Sequence, residues 1–397
     1  MPYFYSLNIC FHGGIVRHLF KMIKLFCNAS LVCFFLACFS VQAEETIKIA
    51  SIFSKSGEAY EYTKEFYWGA QIAAELINEK GGISGKKIEL IEIDNKSTAA
   101  GSIEAAGEAI KLGVTAVCGA AWSSHSIAMA PVLQKAGIPM ISPASTNPEV
   151  TRTGNYIFRT CFTDNFQGDV MAYFALNDLK SKKAAVLRDV TSDFSMMLCD
   201  YFIKRYEKAD SLIVYKGDYL KSETDFRSLL TPVVEKQPDV IFLPGYIADL
   251  GLIIKQARKM GITGIFLGSD GWAGARILYE IAGDAIDGIY FTAPWHRSVS
   301  YPLGKEYAKA YETKFRDEIF PFAPMIYDAF LVLADAVKRA GSLDRRMIRD
   351  ALASTRDFEG ASGNITFDDN GDPLNKDAVI MVFKEKSASF YKSIRIE

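Results

Sequence analysis

Cysteine is scarce where it could build structure. Of seven in the chain, four precede residue 44, and only Cys118, Cys161 and Cys199 follow. Three scattered thiols make no disulfide framework and fit no zinc-ligand spacing. They read as small core residues, with one bridge between two of them as the alternative. Histidine is as sparse: beyond residue 43 only His125 and His296 remain, neither in a metal spacing nor beside a nucleophile, and both read as structural or rim residues. There is no Gly-x-Ser-x-Gly elbow, no Walker A loop, no Gly-x-Gly-x-x-Gly after a strand and no His-Glu-x-x-His. No motif therefore points to an enzyme. The formal charge is -2 with no basic run, so nucleic acid and polybasic membrane binding have no support. Residues 368–372 (DDNGD) resemble part of a calcium loop but lack the distal Glu and flanking helices, and read as a polar hairpin turn. No metal or other cofactor is expected.

Long apolar runs are also missing, apart from residues 26–41 (FCNASLVCFFLACFSV), which are short for a membrane span. This run follows Arg17, Lys21 and Lys24, with no acidic residue before position 44. Small residues at Val41 and Ala43 complete a secretory signal pattern, with cleavage expected after Ala43. Met22 reads as the initiator, with residues 1–21 an upstream extension. A lipoprotein signal ending at Cys38 is the alternative, weakened by Phe35 where an aliphatic residue is expected. The exported chain is mildly acidic.

After the leader, short β-rich runs alternate with amphipathic helical segments. Residues 46–53 (TIKIASIF) and 87–94 (KIELIEID) read as strands, with a helix between them whose Ala70, Ala73, Ala74 and Ile77 share one face. Further helices are expected at 102–111 and 124–136, and strands at 115–119 and 139–142. The series restarts near Asn165, with strands at 183–188, 212–216, 239–244, 265–268 and 288–293. Helices are expected near 195–208, 225–236, 248–260 and 273–282, then at 304–317, 323–340 and 344–354. Strands joined by helices imply parallel sheets, here two doubly wound α/β lobes. Ligands of open parallel sheets lie beyond the carboxyl ends of the strands.

Residues 119–151 (GAAWSSHSIAMAPVLQKAGIPMISPASTNPEVT) place two strand ends against small hydroxyl residues. Ser123 and Ser124 open a helix. They read either as caps or as an anion site built from helix N–H groups and dipole. Ala144, Ser145 and Thr146 follow the next strand; ordinary loop chemistry is the plainer reading of Thr146. Asp270, in Gly-Ser-Asp-Gly, is either a turn residue or a carboxylate for a ligand ammonium. Tyr62, Phe194 and Tyr246 stand near strand ends, as core or as ligand-stacking groups. Trp122 and Trp295 line a cleft mouth or are buried.

Taken in order, residues 70–85 (AQIAAELINEKGGISG), 137–151 (GIPMISPASTNPEVT), 158–168 (FRTCFTDNFQG), 256–261 (QARKMG), 268–272 (GSDGW) and 367–372 (FDDNGD) carry a specific resemblance. From residue 45 onward the chain resembles the type I periplasmic binding proteins, in the branched-chain amino acid (Leu/Ile/Val-binding) group of ABC-transporter receptors. The resemblance implies two lobes joined by a three-strand hinge, with crossovers near 162–165, 290–293 and 364–368. Lobe one is then 44–163 plus 292–365, and lobe two 164–291 plus 366–397. It implies a free amino acid, branched-chain or otherwise apolar, as ligand. Its carboxylate falls to Ser123, Ala144 and Thr146, its ammonium to Asp270, and its side chain to Tyr246 and Tyr62. It implies a periplasmic monomer that delivers to an inner-membrane ABC permease. The alternatives are a ligand-presenting receptor for a separate signalling protein, or a binder of a related small amide or carboxylate. Two departures stand out. Asp193-Phe194-Ser195 replaces the Asp-Tyr-Gly of many relatives, and Trp122 replaces a Cys that some use in a disulfide.

Overall fold

The computed structural model describes residue 3 and residues 45–209, 211–272, 275–299, 301–316, 319–374 and 376–396. The leader, Met22, Cys38 and the cleavage point after Ala43 lie outside the described residues. Among the described residues, no helix is long and apolar enough to cross a membrane.

The chain begins as β1 (Ile47–Phe53), α1 (Tyr60–Glu79), β2 (Ile88–Asp94), α2 (Ala99–Lys111), β3 (Ala116–Gly119), α3 (Ser123–Ala136), β4 (Met140–Ser142), α4 (Glu149–Arg152) and β5 (Ile157–Arg159). The five strands pair in parallel, in the order β2-β1-β3-β4-β5. Helices cover both faces, so β1, β3, β4 and β5 are buried nearly throughout. On one face Ile47, Ile49 and Phe53 pack with Ala70, Ala73 and Ile77 of α1. On the other, Ala50 and Ile52 pack with Ala105 and Ala109 of α2 and with Met129 and Leu133 of α3. The strand order reverses between β1 and β3, and the loops leaving these two strands open a crevice there.

A second series follows: α5 (Asp164–Asn177), β6 (Lys183–Asp189), α6 (Asp193–Glu207), β7 (Leu212–Tyr219), α7 (Arg227–Lys236), β8 (Val240–Phe242), α8 (Ile247–Lys259), β9 (Ile265–Gly268), α9 (Ala275–Ala282) and β10 (Tyr290–Ala293). Then come α10 (Pro302–Phe315), α11 (Ala323–Ala340), α12 (Arg345–Ala353), the hairpin β11 (Phe358–Gly360) and β12 (Gly363–Ile365), and finally β13 (Ala378–Lys384) and β14 (Ser387–Ile394). The second sheet has seven strands, ordered β14-β13-β10-β9-β8-β6-β7. Strands β6 to β10 pair in parallel, but β13 and β14 add antiparallel at one edge. Helices α10, α11 and α12 return to the first sheet: Tyr307, Ile326, Phe330 and Leu352 share the core of Ile47 and Phe53.

Most expected elements stand within a few residues of where periodicity puts them. Helix α5 does not announce itself in the sequence. It buries Gln167, Gly168, Val170, Met171, Ala172, Phe174 and Ala175, so apolar residues surround most of its axis and the 3.6-residue stripe vanishes. Residues 368–372 form the expected polar turn: the amide of Gly371 donates to the Asp368 carbonyl, and that of Asp368 to the Asp372 carbonyl. Cys118, Cys161 and Cys199 are buried and unbridged.

Candidate functional site

Beyond the ends of β1, β3, β4, β6, β8 and β9 lies a cavity of about 380 Å³. Its lining includes Tyr62, Ser123, Ala144, Thr146, Phe194, Tyr246 and Asp270, so seven residues singled out from sequence converge on one space. Two others do not line it. Ser124 lies exposed on the first turn of α3. Ser145 is buried behind the lining, its hydroxyl donating to the carbonyls of Ala120 (3.1 Å) and Ala121 (3.3 Å).

The first sheet's half of the site is held by buried hydroxyls. Gly119 ends β3 with a φ of +152°, and a methyl there would sit 2.4 Å from the Ile52 carbonyl oxygen, so only glycine lets β3 close on β1. The next amide, Ala120, donates to Ser126 Oγ at 2.9 Å, and Ser126 Oγ lies 2.7 Å from Ser145 Oγ. Ser142 Oγ donates to the Ala120 carbonyl and accepts from the Ser145 amide, both at 3.0 Å. The loops after β3 and β4 are thereby locked together. Ser123 Oγ accepts from the Asn147 amide at 3.3 Å, setting the hydroxyl at the N-terminus of α3 beside the loop that carries Thr146. Behind this loop, the buried Arg159 donates to the carbonyls of Ser145 (2.6 Å) and Asn147 (2.9 Å), to Thr151 Oγ1 (2.9 Å) and to Asp372 (2.6 Å).

The second sheet's half centres on Asp270, which is 2% exposed. Its amide donates to Gln167 Oε1 at 2.8 Å, and Thr292 Oγ1 donates to the same oxygen at 2.5 Å. Burial pushes the Asp270 carboxyl up to about 7, with Gln167 and nearby amides offsetting part of the rise. Among the described residues, Asp270 Oδ1, both carboxyl oxygens of Asp164 and Gln167 Nε2 have no hydrogen-bond partner. Burial, and then the neighbouring Asp270, holds the Asp164 carboxyl well above its usual range, while the Thr146 hydroxyl and Arg159 oppose the shift. Buried polar atoms without partners are rare, and three carboxyl oxygens without a partner, gathered beside a cavity, mark a place built to receive a donor.

Aromatic rings complete the lining. Tyr246 stacks on Trp122 at 4.4 Å and on Phe194 at 5.4 Å. Phe66, Phe291, Trp295, Phe320 and Phe322 lie further along. Ser195 donates to the Pro244 carbonyl at 2.8 Å and accepts from the Asp189 amide at 3.1 Å. It thereby ties the loops after β6 and β8. Gly271 lets the Asp270 loop approach the Tyr246 loop: a methyl there would lie 2.4 Å from the Gly245 carbonyl oxygen. His125 is buried, and its Nδ1 accepts from Asn95 Nδ2 at 3.2 Å. Burial lowers its pKa, leaving it a structural group.

Sequence reasoning missed Ser126, Ser142, Arg159, Asp164 and Gln167. The last three lie in residues 158–168, a stretch quoted for its resemblance but given no role. The signal was there: Arg159, Asp164 and Gln167 alternate with Phe158, Phe162 and Phe166, and such side chains are costly to bury beside aromatics unless paired.

Residues 46–388 match the family model described as periplasmic binding protein. The chain is 30% identical over 339 residues to the leucine-, isoleucine-, valine-, threonine- and alanine-binding protein of Pseudomonas aeruginosa, covering 85% of this chain and 90% of that one. It is 28% identical to the Leu/Ile/Val-binding protein of Escherichia coli K12, covering 86% and 91%. Among solved structures, the leucine-binding protein LivK of Thermotoga maritima superposes with a TM-score of 0.82 at 36% identity, over 88% of this chain and 99% of that one. LivJ of Streptococcus pneumoniae, solved with isoleucine, gives 0.83 at 32% identity, over 89% and 100%. With the fold, the cavity and these likenesses in agreement, the chain belongs to the type I periplasmic binding proteins of the branched-chain amino acid group, which are substrate-binding components of ABC transporters and not enzymes.

Proposed function

We propose that the protein captures one free amino acid, branched-chain or otherwise apolar, between its two sheets and presents it to an inner-membrane ABC permease. The carboxylate binds first, to Ser123 at the N-terminus of α3 and to Ala144 and Thr146 in the loop after β4. The ammonium meets Asp270, and Tyr246, Tyr62 and Phe194 enclose the side chain. One arrangement carries this reading: hydroxyls from the first sheet and a buried carboxyl from the second, one of its oxygens without a partner, line the same aromatic cavity. A zwitterion supplies both missing charges. Because its two ends belong to different sheets, ligand contact with both favours the closed arrangement over an open one.

We assign lobe one to 44–163 plus 292–365 and lobe two to 164–291 plus 366–397. The sheet memberships and the return of α10, α11 and α12 to the first sheet support that division. The protein is read as a monomer, exported to the periplasm by a leader cleaved after Ala43.

Titration calorimetry with leucine, isoleucine, valine and phenylalanine tests the reading. At least one should bind tightly, and Asp270→Ala should weaken that ligand at least about tenfold, as expected for loss of a charge-assisted hydrogen bond, while remaining folded. Undiminished affinity in the variant would remove Asp270 from the site.

A further inference from the structure

Four rings form a column from the first sheet into the second. His125 and Trp122 stack at 5.3 Å with 25° between their planes. Trp122 and Tyr246 follow at 4.4 Å and 23°, then Tyr246 and Phe194 at 5.4 Å and 29°. His125 and Trp122 belong to the loop and helix after β3; Tyr246 and Phe194 follow β8 and β6. The Trp122–Tyr246 step therefore spans the cleft.

A second contact spans it beside the first. Lys221, from the loop after β7, lies 5.6 Å above the Trp122 ring and 2.6 Å from Glu58, in the loop after β1. Glu58 and the base of the column rest on one polar network. Asn95 joins His125 Nδ1 (3.2 Å) to Ser54 Oγ (2.7 Å). Ser97 Oγ donates to the Ser56 carbonyl (2.6 Å) and accepts from the Ala59 amide (3.0 Å). The loop presenting Glu58 and the ring supporting Trp122 are thus positioned as one unit. Lys221 bridges that unit from the other side, touching the indole face and the carboxylate together.

We propose that Trp122 is the closing contact of this receptor: clasped by Tyr246 and Lys221 from the second sheet, it holds the cleft shut over the amino acid, with Glu58–Lys221 as its outer latch. The role rests on the capture reading above. Trp122 is a positioning residue in this scheme; it sets how long the cleft stays closed. An aromatic pair of this geometry shifts the open–closed balance by about fivefold, and the cation above the ring adds to it.

The latch can be read chemically. A water-soluble carbodiimide condenses Glu58 with Lys221 only while the two side chains touch, and peptide mass spectrometry identifies that amide among others. In the absence of amino acid, the initial coupling rate of Trp122→Ala should fall about fivefold below wild type, and Trp122→Phe, which keeps a ring on Tyr246, should recover most of it. An unchanged rate in a folded Trp122→Ala protein would overturn the proposal, as would failure of Trp122→Phe to outperform Trp122→Ala. Adding leucine, isoleucine, valine or phenylalanine to wild type tests the other reading separately. If none raises the coupling rate while Trp122→Ala lowers it, the latch stands and the capture of an apolar amino acid falls.

Discussion

Arg159 and Asp372 are 213 residues apart in sequence, yet Nε of one lies 2.6 Å from Oδ1 of the other. The contact joins the end of β5 to the connector between β12 and β13, and the same guanidinium holds the loop that presents Thr146. Replacing Arg159 with Met strands two buried carbonyls and a largely buried carboxylate. We expect a loss of about 3–5 kcal/mol in unfolding free energy, measured by urea denaturation. A loss below about 1 kcal/mol would show that the loop is held by its serines alone.

Asp270 makes ligand binding depend on pH. Its pKa is raised from the ordinary 3.8 to about 7 by burial, with Asp164, Gln167 and Tyr246 packed near it. An acid raised in the fold contributes stability that is fully present below 3.8 and lost as pH climbs through about 7. Ligand-free protein should therefore lose stability across that window, and Asp270→Asn should lose less. An ammonium favours the ionised carboxyl, so affinity should rise over the same range and binding at pH 6 should release protons. Calorimetric enthalpies in buffers of different ionisation heat measure this directly. No dependence on the buffer would mean that Asp270 is already ionised in the free protein.

Three serines in one segment should respond differently to alanine. Ser123→Ala should weaken the ligand, about tenfold for a bond to a charged carboxylate, and should also cost about 1–3 kcal/mol of stability, because the buried Asn147 amide loses its acceptor. Ser145→Ala removes a buried hydroxyl bonded to two loop carbonyls. It should cost about 1–3 kcal/mol of stability while changing affinity less than Ser123→Ala does. Ser124→Ala, exposed, should do neither. Calorimetry and thermal melts on the three proteins would show whether lining and support are separable.

Asp328 and Lys376 are both buried, 4.0 Å apart, with Ser362 Oγ bonded to each. Burial raises the acid and lowers the base, and each opposes the shift of the other. Lys376→Met alone should destabilise by about 3–5 kcal/mol, because it leaves a carboxylate unpaired in the interior. The double change Asp328→Asn with Lys376→Met should recover much of that loss. Additive losses in denaturant titrations would show that the two groups do not act as a pair.

The alternation of strands and helices was legible because sheets covered on both faces demand short apolar runs separated by amphipathic helices. The convergence of Ser123, Thr146, Tyr246 and Asp270 was legible because all four follow strands of parallel sheets. Other features left little local trace. Helix α5 lost its stripe by being surrounded. Arg159 works through backbone carbonyls, which no side-chain pattern records. Ser124 and Ser145 looked equivalent to their neighbours, since one residue's rotation about a helix start, or one step in a loop, decides which hydroxyl faces the cavity. The Trp122–Tyr246 stack joins residues on different sheets, and neither residue's surroundings in sequence identify its partner.

The three cysteines of the described residues bear on how the fold meets thiol chemistry. Cys118 sits in a strand, Cys161 at the departure from the first sheet and Cys199 in a helix, each buried, unbridged and with its thiol pushed up by burial. A thiol held protonated and out of solvent neither attacks nor is attacked. Once folded, the described part is therefore held together without a bridge among these three thiols, and burial shields all three from exchange with small thiols and disulfides.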